Sequence, residues 1–390
     1  MRLLLVLSLI LAGALFSMNC TSDAKALNIE VLSAPVPVTT QGKTLLVYEL
    51  YLVNATDADA TITRLAVADA AKPEVELLAY EGASLEKAIV VLNKDIRQEK
   101  DKDLFAVSKE LESVKIEPGK PIVMKKGNSA LIYMWVELEG AAPEMLFNKV
   151  TVNGAVENCA VEVSGRKPIL IAAPLKGRMW LTSGAPGPHS YHRRALLPIY
   201  GKFYGAQRFA VDFVIIDDAG AIASGDVNEN RNHHCFGKEI HSVAEGTVTS
   251  ILDGMPENIA GKMPDVKNAN ELEGNHIVVD IGGGNYVFYA HLQPGSLRVK
   301  PGDKVAKGQV LALIGNTGHS DAPHLHIHIM DGPDPVRSEG LPFLYESFEL
   351  IGKVTGEANE AGNVLQWERA ATPVAMKDVM PLQDDVVNFE

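Results

Sequence analysis

The sequence is short of cysteine, of positive charge and of long apolar runs, and each shortage excludes a class of protein. Its 390 residues include only three cysteines, Cys20, Cys159 and Cys235, so no disulfide framework carries the fold. It has 36 lysines and arginines against 49 acidic residues, and the net charge of −13 argues against a nucleic-acid partner. No apolar run reaches the roughly 20 residues that a membrane-spanning helix needs.

The first residues have the order of an export signal. A positive charge at Arg2 precedes an apolar run from Leu3 to Phe16, and small and polar residues follow. This order predicts a secretory signal peptide over residues 1–26. Two ways of processing the signal stay open. Cys20 stands where a lipoprotein signal places its acylated cysteine, and simple cleavage near this position is the alternative. Either way of processing predicts an exported protein of the periplasm or cell envelope, and lipidation of Cys20 would anchor it to a membrane.

Residues 27–160 have the pattern of an all-β domain. Two stretches rich in β-forming residues, 45–54 and 130–138, stand among shorter alternating stretches with turn residues between them. Several short strands at such spacing predict an immunoglobulin-like β-sandwich of about 100 residues. No constellation of polar residues here suggests chemistry, so we expect a spacer or docking module. The stretch 161–181, punctuated by proline and glycine, is the predicted linker.

All eleven histidines lie between His189 and His328. Histidine is the commonest metal ligand and a frequent general base, so this clustering predicts a reactive site in the second half of the chain. The densest motif is PHLHIHI, from Pro323 to Ile329, in which three histidines would share one face of a strand. An ordinary exposed strand would show the same alternation, so the motif alone leaves both interpretations open.

Three further motifs precede the histidine strand: YAHL ending at Leu292, VKPGDKVAKGQ starting at Val299, and the turn GNTG starting at Gly315. Together with His324-Leu-His326 they resemble the lysostaphin/LytM-type zinc endopeptidases, over roughly residues 207–332. The resemblance implies a duplicated-hybrid-motif β domain, which we place at residues 182–350, followed by a tail over 351–390. It also implies hydrolysis of peptide bonds in bacterial peptidoglycan.

The resemblance assigns a role to four residues. Asp212 matches the carboxylate ligand of a zinc ion, and His326 matches a histidine ligand. His291 and His324 match the pair that orients or deprotonates the attacking water and stabilises the tetrahedral intermediate. The zinc ion would act as a Lewis acid and make water nucleophilic at neutral pH.

Arg208 stands where the family has its first histidine ligand, four residues before Asp212. A guanidinium has no free lone pair and stays protonated, so Arg208 cannot bind zinc. Two protein ligands are fewer than the three of a catalytic zinc site. We expect His192 to supply the third ligand, because it precedes the strand of Arg208 and could fold back beside Asp212. The reserve candidates are His233, His234 and Cys235.

Two functions therefore stay open at the level of sequence. A complete zinc site predicts a metalloendopeptidase that acts on peptidoglycan. An incomplete site predicts a catalytically degenerate peptidoglycan-binding module that activates or positions a partner hydrolase. Arg208 itself we expect to be structural, paired with Asp217 or Asp218.

Overall fold

The computed structural model describes residues 26–266, 268–359 and 363–390, so the predicted signal peptide up to residue 25, with Cys20, lies outside it. Within these ranges no helix is long and apolar enough to cross a membrane. Strands dominate, and the helices are short pieces of at most six residues. The prediction of an all-β protein is confirmed.

The first domain is a sandwich of two antiparallel sheets. Its strands, in chain order, are β1 (Asn28–Val31), β2 (Val38–Thr40), β3 (Lys43–Val53), β4 (Ala60–Asp69), β5 (Glu76–Glu81), β6 (Ile89–Leu92), β7 (Ser113–Val114), β8 (Ile122–Met124), β9 (Ser129–Leu138), β10 (Met145–Val152) and β11 (Ala155–Glu162). One sheet has the order β1-β3-β9-β6-β7 with β2 beside β3, and the other has the order β11-β10-β4-β5 with β8 beside β4. Its helices are α1 (Ala83–Ala88), α2 (Leu104–Ser108) and the 3-10 turn Ile96–Gln98. The immunoglobulin-like topology stays a prediction.

Strand β3 is buried on both of its faces. Leu46 and Leu50 on one face belong to the core between the two sheets. Val47 and Tyr51 on the other face pack into clusters that include residues of the second domain. This double burial explains why the strand reads as a nearly continuous apolar run. Glu49, in the middle of the run, is fully buried on the face toward the second domain.

The second domain is built on one twelve-stranded sheet. Its strands, in chain order, are β12 (Ile169–Ile171), β13 (Gly177–Ser183), β14 (Leu197–Ile199), β15 (Lys202–Tyr204), β16 (Val211–Ile215), β17 (Glu239–His241), β18 (Gly246–Leu252), β19 (His276–Asp280), β20 (Tyr286–Ala290), β21 (Lys304–Val305), β22 (Val310–Leu313), β23 (Leu325–Met330), β24 (Gly340–Leu341), β25 (Phe343–Ala358), β26 (Leu365–Val379) and β27 (Asp385–Phe389). The sheet order is β12-β25-β27-β13-β16-β23-β20-β19-β18-β21, with β24 beside β23 and β26 beside β25. Two small pairs, β14–β15 and β17–β22, lie apart from it. The helices are α3 (Tyr191–Arg194), α4 (Ala269–Leu272) and the 3-10 turn Asn230–Asn232.

The structure corrects two predicted boundaries. Residues 161–181, predicted as a linker, contain β12 and most of β13, and both strands pair within the second domain. Residues 351–390, predicted as a tail, complete β25 and supply β26 and β27, with β27 lying between β25 and β13. Buried apolar side chains hold both segments in the core, among them Trp180 and Phe389. Their strands are short or partly exposed, so the sequence of these segments shows proline, glycine and polar residues more clearly than strand periodicity.

Candidate metal centre and active site

Adjacent strands of the second domain bring Asp212 to the histidine motif. Strand β16 pairs with β23 so that Asp212 lies opposite His326. Strand β20 pairs with the other edge of β23, with Ala290 opposite His326, and His291 follows at once. The register of three neighbouring strands therefore places one carboxylate and two imidazoles at the same point of the sheet.

His192 reaches this point from a loop. Strand β13 pairs with β16 so that its last residue, Ser183, lies opposite Asp212. Gly184 then adopts φ of 57°, a left-handed conformation that favours glycine, and the chain returns as helix α3. The carbonyl of Gly184 accepts a hydrogen bond from Oγ of Ser190 at 2.6 Å and lies 2.9 Å from Nδ1 of His192. This contact turns the other ring nitrogen of His192 toward Asp212.

The ligand atoms of His192, Asp212 and His326 all lie within 4.8 Å of one another. Nε2 of His192 is 3.2 Å from Oδ2 of Asp212, and Nδ1 of His326 is 2.8 Å from Oδ1. All three residues are buried. In the part of the chain that the structure describes, no other group of three or more His, Cys, Asp or Glu side chains is close enough to hold a metal ion. Two imidazoles and a carboxylate are a donor set that suits zinc.

The electrostatics of the cluster favour an ionised carboxylate among imidazoles. Burial opposes charge on Asp212, but the rings of His192 and His324 outweigh it and hold the pKa of Asp212 well below its usual range. Burial lowers the pKa of His326 to about 4, and Asp212 opposes this only in part. For His192, burial also favours the neutral ring, but Asp212 prevails and raises the pKa. A bound metal ion would therefore have to displace a proton from His192.

His291 and His324 stand beside the cluster with their ring centroids 4.6 Å apart. The centroid of His291 is 5.7 Å from that of His326. Nδ1 of His291 lies 2.7 Å from the carbonyl oxygen of Thr317, and Nδ1 of His324 lies 2.8 Å from that of Ala322. A carbonyl oxygen only accepts hydrogen bonds, so each Nδ1 carries the proton. Burial favours the neutral form of His291, whose ring then keeps a lone pair on Nε2 and can act as a base.

The structure adds two neighbours of the cluster that the sequence analysis missed. The hydroxyl of Tyr191 donates a hydrogen bond of 2.6 Å to Oδ2 of Asp212. His328 is fully buried, with Nδ1 at 2.9 Å from Nε2 of His326. The spacing of the strand carried the signal for His328, since residues two apart share a face. The sequence offered no such signal for Tyr191.

Glu273 is a third residue that sequence reasoning missed. Its side chain is buried and accepts a hydrogen bond from Nε2 of Gln207 at 3.2 Å. Burial raises the pKa of Glu273 to about 7, so the carboxyl is partly protonated at neutral pH. Its backbone carbonyl accepts the N–H of His291, which itself has φ of 62°, a left-handed conformation uncommon outside glycine. Glu273 thus helps to hold His291 in place.

Arg208 is turned away from the cluster and toward the first domain. Its Nη2 lies 2.8 Å from a carboxylate oxygen of Glu49 and 2.8 Å from one of Glu339. The predicted pairing with Asp217 or Asp218 is wrong: Asp217 accepts backbone N–H groups of its own turn, and Asp218 pairs with an arginine on the surface. A buried guanidinium needs buried carboxylates, and the contact between domains that supplies Glu49 is invisible in the sequence.

The reserve ligands do not reach the cluster. Nε2 of His233 lies 2.8 Å from a backbone carbonyl, and Nε2 of His234 lies 2.8 Å from a serine hydroxyl. Cys235 donates its thiol hydrogen to a backbone carbonyl at 3.0 Å. The structure thus brings together the five residues proposed for the site, His192, Asp212, His291, His324 and His326, and leaves the three reserves apart.

Residues 232–338 of the chain match the family described as Peptidase family M23. Over this stretch the second domain is similar to the M23 peptidases. The matched stretch contains His291, His324 and His326 and stops short of His192 and Asp212. Strand pairing brings Asp212 to the matched residues, and the loop after β13 brings His192.

Relatives of the second domain include two named endopeptidases. The peptidoglycan DD-endopeptidase ShyA of Vibrio cholerae is 34% identical over 94 residues, which are 24% of this chain and 21% of that protein. The glycyl-glycine endopeptidase ALE-1 of Staphylococcus capitis is 36% identical over 87 residues, 22% of this chain and 24% of that protein. The chain therefore spans about a quarter or less of the length of these relatives.

Solved structures add a further likeness. The match to the catalytic domain of lysostaphin from Staphylococcus simulans covers 31% of this chain and 84% of the lysostaphin chain. The sequence identity is 22% and the TM-score is 0.20.

Proposed function

We propose that this protein is a zinc metalloendopeptidase that hydrolyses peptide bonds of bacterial peptidoglycan. The observation that carries the proposal is the set of three ligand atoms on His192, Asp212 and His326, beside two histidines whose ring centroids lie 4.6 Å apart. His192 takes the place that Arg208 leaves open. The substrate class follows from the relatives, since ShyA is named as a peptidoglycan endopeptidase.

The residues present fit a zinc ion. Two imidazole nitrogens and one carboxylate oxygen equal the three protein ligands of a catalytic zinc site. Nε2 of His326 contacts His328 and Nδ1 of His192 contacts the Gly184 carbonyl, which are the outer contacts that fix the tautomer of a ligating histidine. When bound, zinc supplies Lewis acidity that polarises a peptide carbonyl and makes water nucleophilic at neutral pH.

The chain's own histidines would move the protons of the reaction. Burial and the neighbouring rings hold the pKa of His291 well below its usual range, so the ring is neutral at pH 7. Its Nε2 lone pair can then accept a proton from the attacking water and pass it to the amine that leaves. His324 stands close enough to share this work or to donate a hydrogen bond to the developing oxyanion.

The proposal also places the protein outside the cytoplasm, where its substrate lies. The predicted signal peptide supports export, and lipidation of Cys20 would tether the site to a membrane surface near the wall. Replacement of Cys20 by Ala, followed by separation of membrane and soluble envelope fractions, tests the tether. Release of the variant into the soluble fraction supports lipidation, and unchanged membrane association contradicts it.

Digestion of purified peptidoglycan sacculi tests the activity. The zinc-loaded chain should release fragments that carry new amino termini, and His324→Ala should abolish the release without loss of zinc. His234→Ala is a matched control, because that imidazole contacts Ser224 and lies apart from the site. Release by His324→Ala at the wild-type rate would contradict the mechanism. A fully zinc-loaded chain that binds sacculi and cuts nothing would favour the alternative, a module that positions a partner hydrolase.

A further inference from the structure

Helix α3 connects the candidate metal centre to the first domain within four residues. Its first two residues, Tyr191 and His192, contact Asp212 at 2.6 Å and 3.2 Å. Its last two residues, Arg193 and Arg194, contact the first domain. A helix of one turn has almost no stability of its own, so contacts on its two sides must hold it in place.

Arg193 provides the deeper of the two contacts. Its side chain is 1% exposed although it carries a charge. Its Nη2 donates to the carbonyl oxygens of Tyr48, at 3.3 Å, and of Met134. Its guanidinium carbon lies 5.7 Å from the ring centres of both Tyr133 and Trp135. These groups belong to β3 and β9, so the guanidinium is inserted against one face of the first domain's sheet.

Glu49 compensates the buried charge of Arg193. Its carboxylate lies 3.8 Å from Nε of Arg193 and 2.8 Å from Nη2 of Arg208. Glu339, which is partly exposed, also contacts Nη2 of Arg208, so one buried and one partly exposed carboxylate face two buried guanidinium groups. Such a group is costly to disrupt, because removal of one member leaves an uncompensated charge in the interior.

The carboxylate of Glu49 thus contacts both Arg193 and Arg208. Arg208 stands at the position of the family's first zinc ligand and points to Glu49 instead. Arg193 follows His192, the residue that takes over as third ligand, and also faces Glu49. Both arginines therefore depend on one contact between the domains.

We propose that Arg193 is a positioning residue of the metal centre, and that the first domain acts through it to hold His192 in reach of zinc. The inference rests on the proposed function, because it assumes that His192 binds the metal. It makes the first domain a structural part of the centre, where the sequence suggested only a spacer or docking module.

A double-mutant cycle on the full chain tests this inference, with the dissociation constant for zinc alone as the readout. Arg193→Lys keeps the charge but loses the planar guanidinium group whose Nη2 donates to both carbonyls. We expect it to weaken zinc binding by about 10-fold, within the range measured for groups that orient metal ligands. In the His192→Ala background the same substitution should change zinc binding by less than about twofold, because no ligand remains for Arg193 to position.

Arg194→Lys is the matched control, since its guanidinium stacks on Tyr133 at 4.9 Å at the edge of the interface. It should leave zinc affinity within about twofold of the wild type. Glu49→Asp, which keeps the charge and shortens the side chain, replaces Arg193→Lys if that variant does not fold, and the same 10-fold loss is expected. Wild-type zinc affinity in the folded variant, or an equal loss in both backgrounds, would overturn the inference alone. A wild-type chain that binds no zinc would overturn the proposed function and the inference with it.

Discussion

Nε2 of His192 lies 3.2 Å from Oδ2 of Asp212, although one residue sits on a one-turn helix and the other on a central strand. A metal ion selects the positions of its ligand atoms and not the order of the ligands in the chain. A histidine supplied by the loop after β13 can therefore substitute for one expected on the strand of Asp212. The arginine at the vacated position does not intrude, because it is held by Glu49 and Glu339.

Arg208→His should not improve the metal centre. The substitution restores the family residue but takes the cation away from Glu339 and leaves the buried Glu49 with only Arg193, at 3.8 Å, at a cost of up to about 3–5 kcal/mol in the free energy of unfolding. Urea denaturation measures the loss, and zinc titration should show no gain in affinity. Arg369→Ala removes an exposed pair with Asp218 and should cost less than about 1 kcal/mol. Tighter zinc binding by Arg208→His would mean that position 208 can still reach the site.

Gly184→Ala should disturb the metal centre directly. A Cβ atom at Gly184 would lie 2.8 Å from Nδ1 of His192 and closer still to the ring of Tyr191. The loop must then shift, so we expect zinc affinity to fall by about 10-fold or more. Gly237→Ala controls for the backbone, because Gly237 also has a positive φ, of 71°, but nothing lies within 4 Å of its Cβ position. Equal zinc affinities in the two variants would argue against the loop as the source of a ligand.

His328→Ala should weaken zinc binding although His328 is not proposed as a ligand. If Nδ1 of His326 holds the metal, its Nε2 carries a proton and donates it to Nδ1 of His328, at 2.9 Å. Loss of this acceptor should reduce zinc affinity by about 10–100-fold. His276→Ala is the control. The ring centroids of His276 and His328 lie 5.1 Å and 4.9 Å from that of Phe288, but His276 lies apart from the ligands. A similar effect of both substitutions would indicate packing alone.

Glu257 should make the stability of the second domain depend on pH. Burial raises the pKa of Glu257 from 4.5 to about 7. Between these pH values the folded chain therefore binds more protons at Glu257 than the unfolded chain does. The contribution of protonated Glu257 to the free energy of unfolding is complete below pH 4.5 and is lost as the pH rises through 7. Glu257→Gln mimics the protonated form and should match the wild type at pH 5 and exceed its free energy of unfolding at pH 8. Parallel urea titrations at the two pH values check this, and a constant difference would contradict it.

The histidine strand and its neighbours were predictable because their signals are local. Period-two spacing puts His324, His326 and His328 on one face, and glycine turns mark the hairpins around them. His192 is predictable because Arg208 cannot bind zinc and His192 precedes the strand of Asp212. The structure brings His192 to Asp212 and His326, and its role as a zinc ligand stays a prediction.

Contacts between distant segments could not be predicted from the sequence. Glu49 stands in an apolar run of the first domain, and the residues around it do not predict its contacts with two arginines of the second domain. Strands β12 and β27 lie in the predicted linker and the predicted tail, because strands of three and five residues show too little periodicity to reveal their neighbours in a sheet. Their place is decided by pairing across the sheet, with β27 between β13 and β25.

Zinc stoichiometry of the purified chain, measured by elemental analysis after gel filtration in zinc-containing buffer, tests the central claim most directly. The account predicts one zinc ion per wild-type chain and loss of more than about 100-fold in affinity for His192→Ala, as for Asp212→Ala. His234→Ala should retain the full zinc content. A His192→Ala variant that folds and keeps one zinc ion at wild-type affinity would contradict the claim that this histidine completes the site.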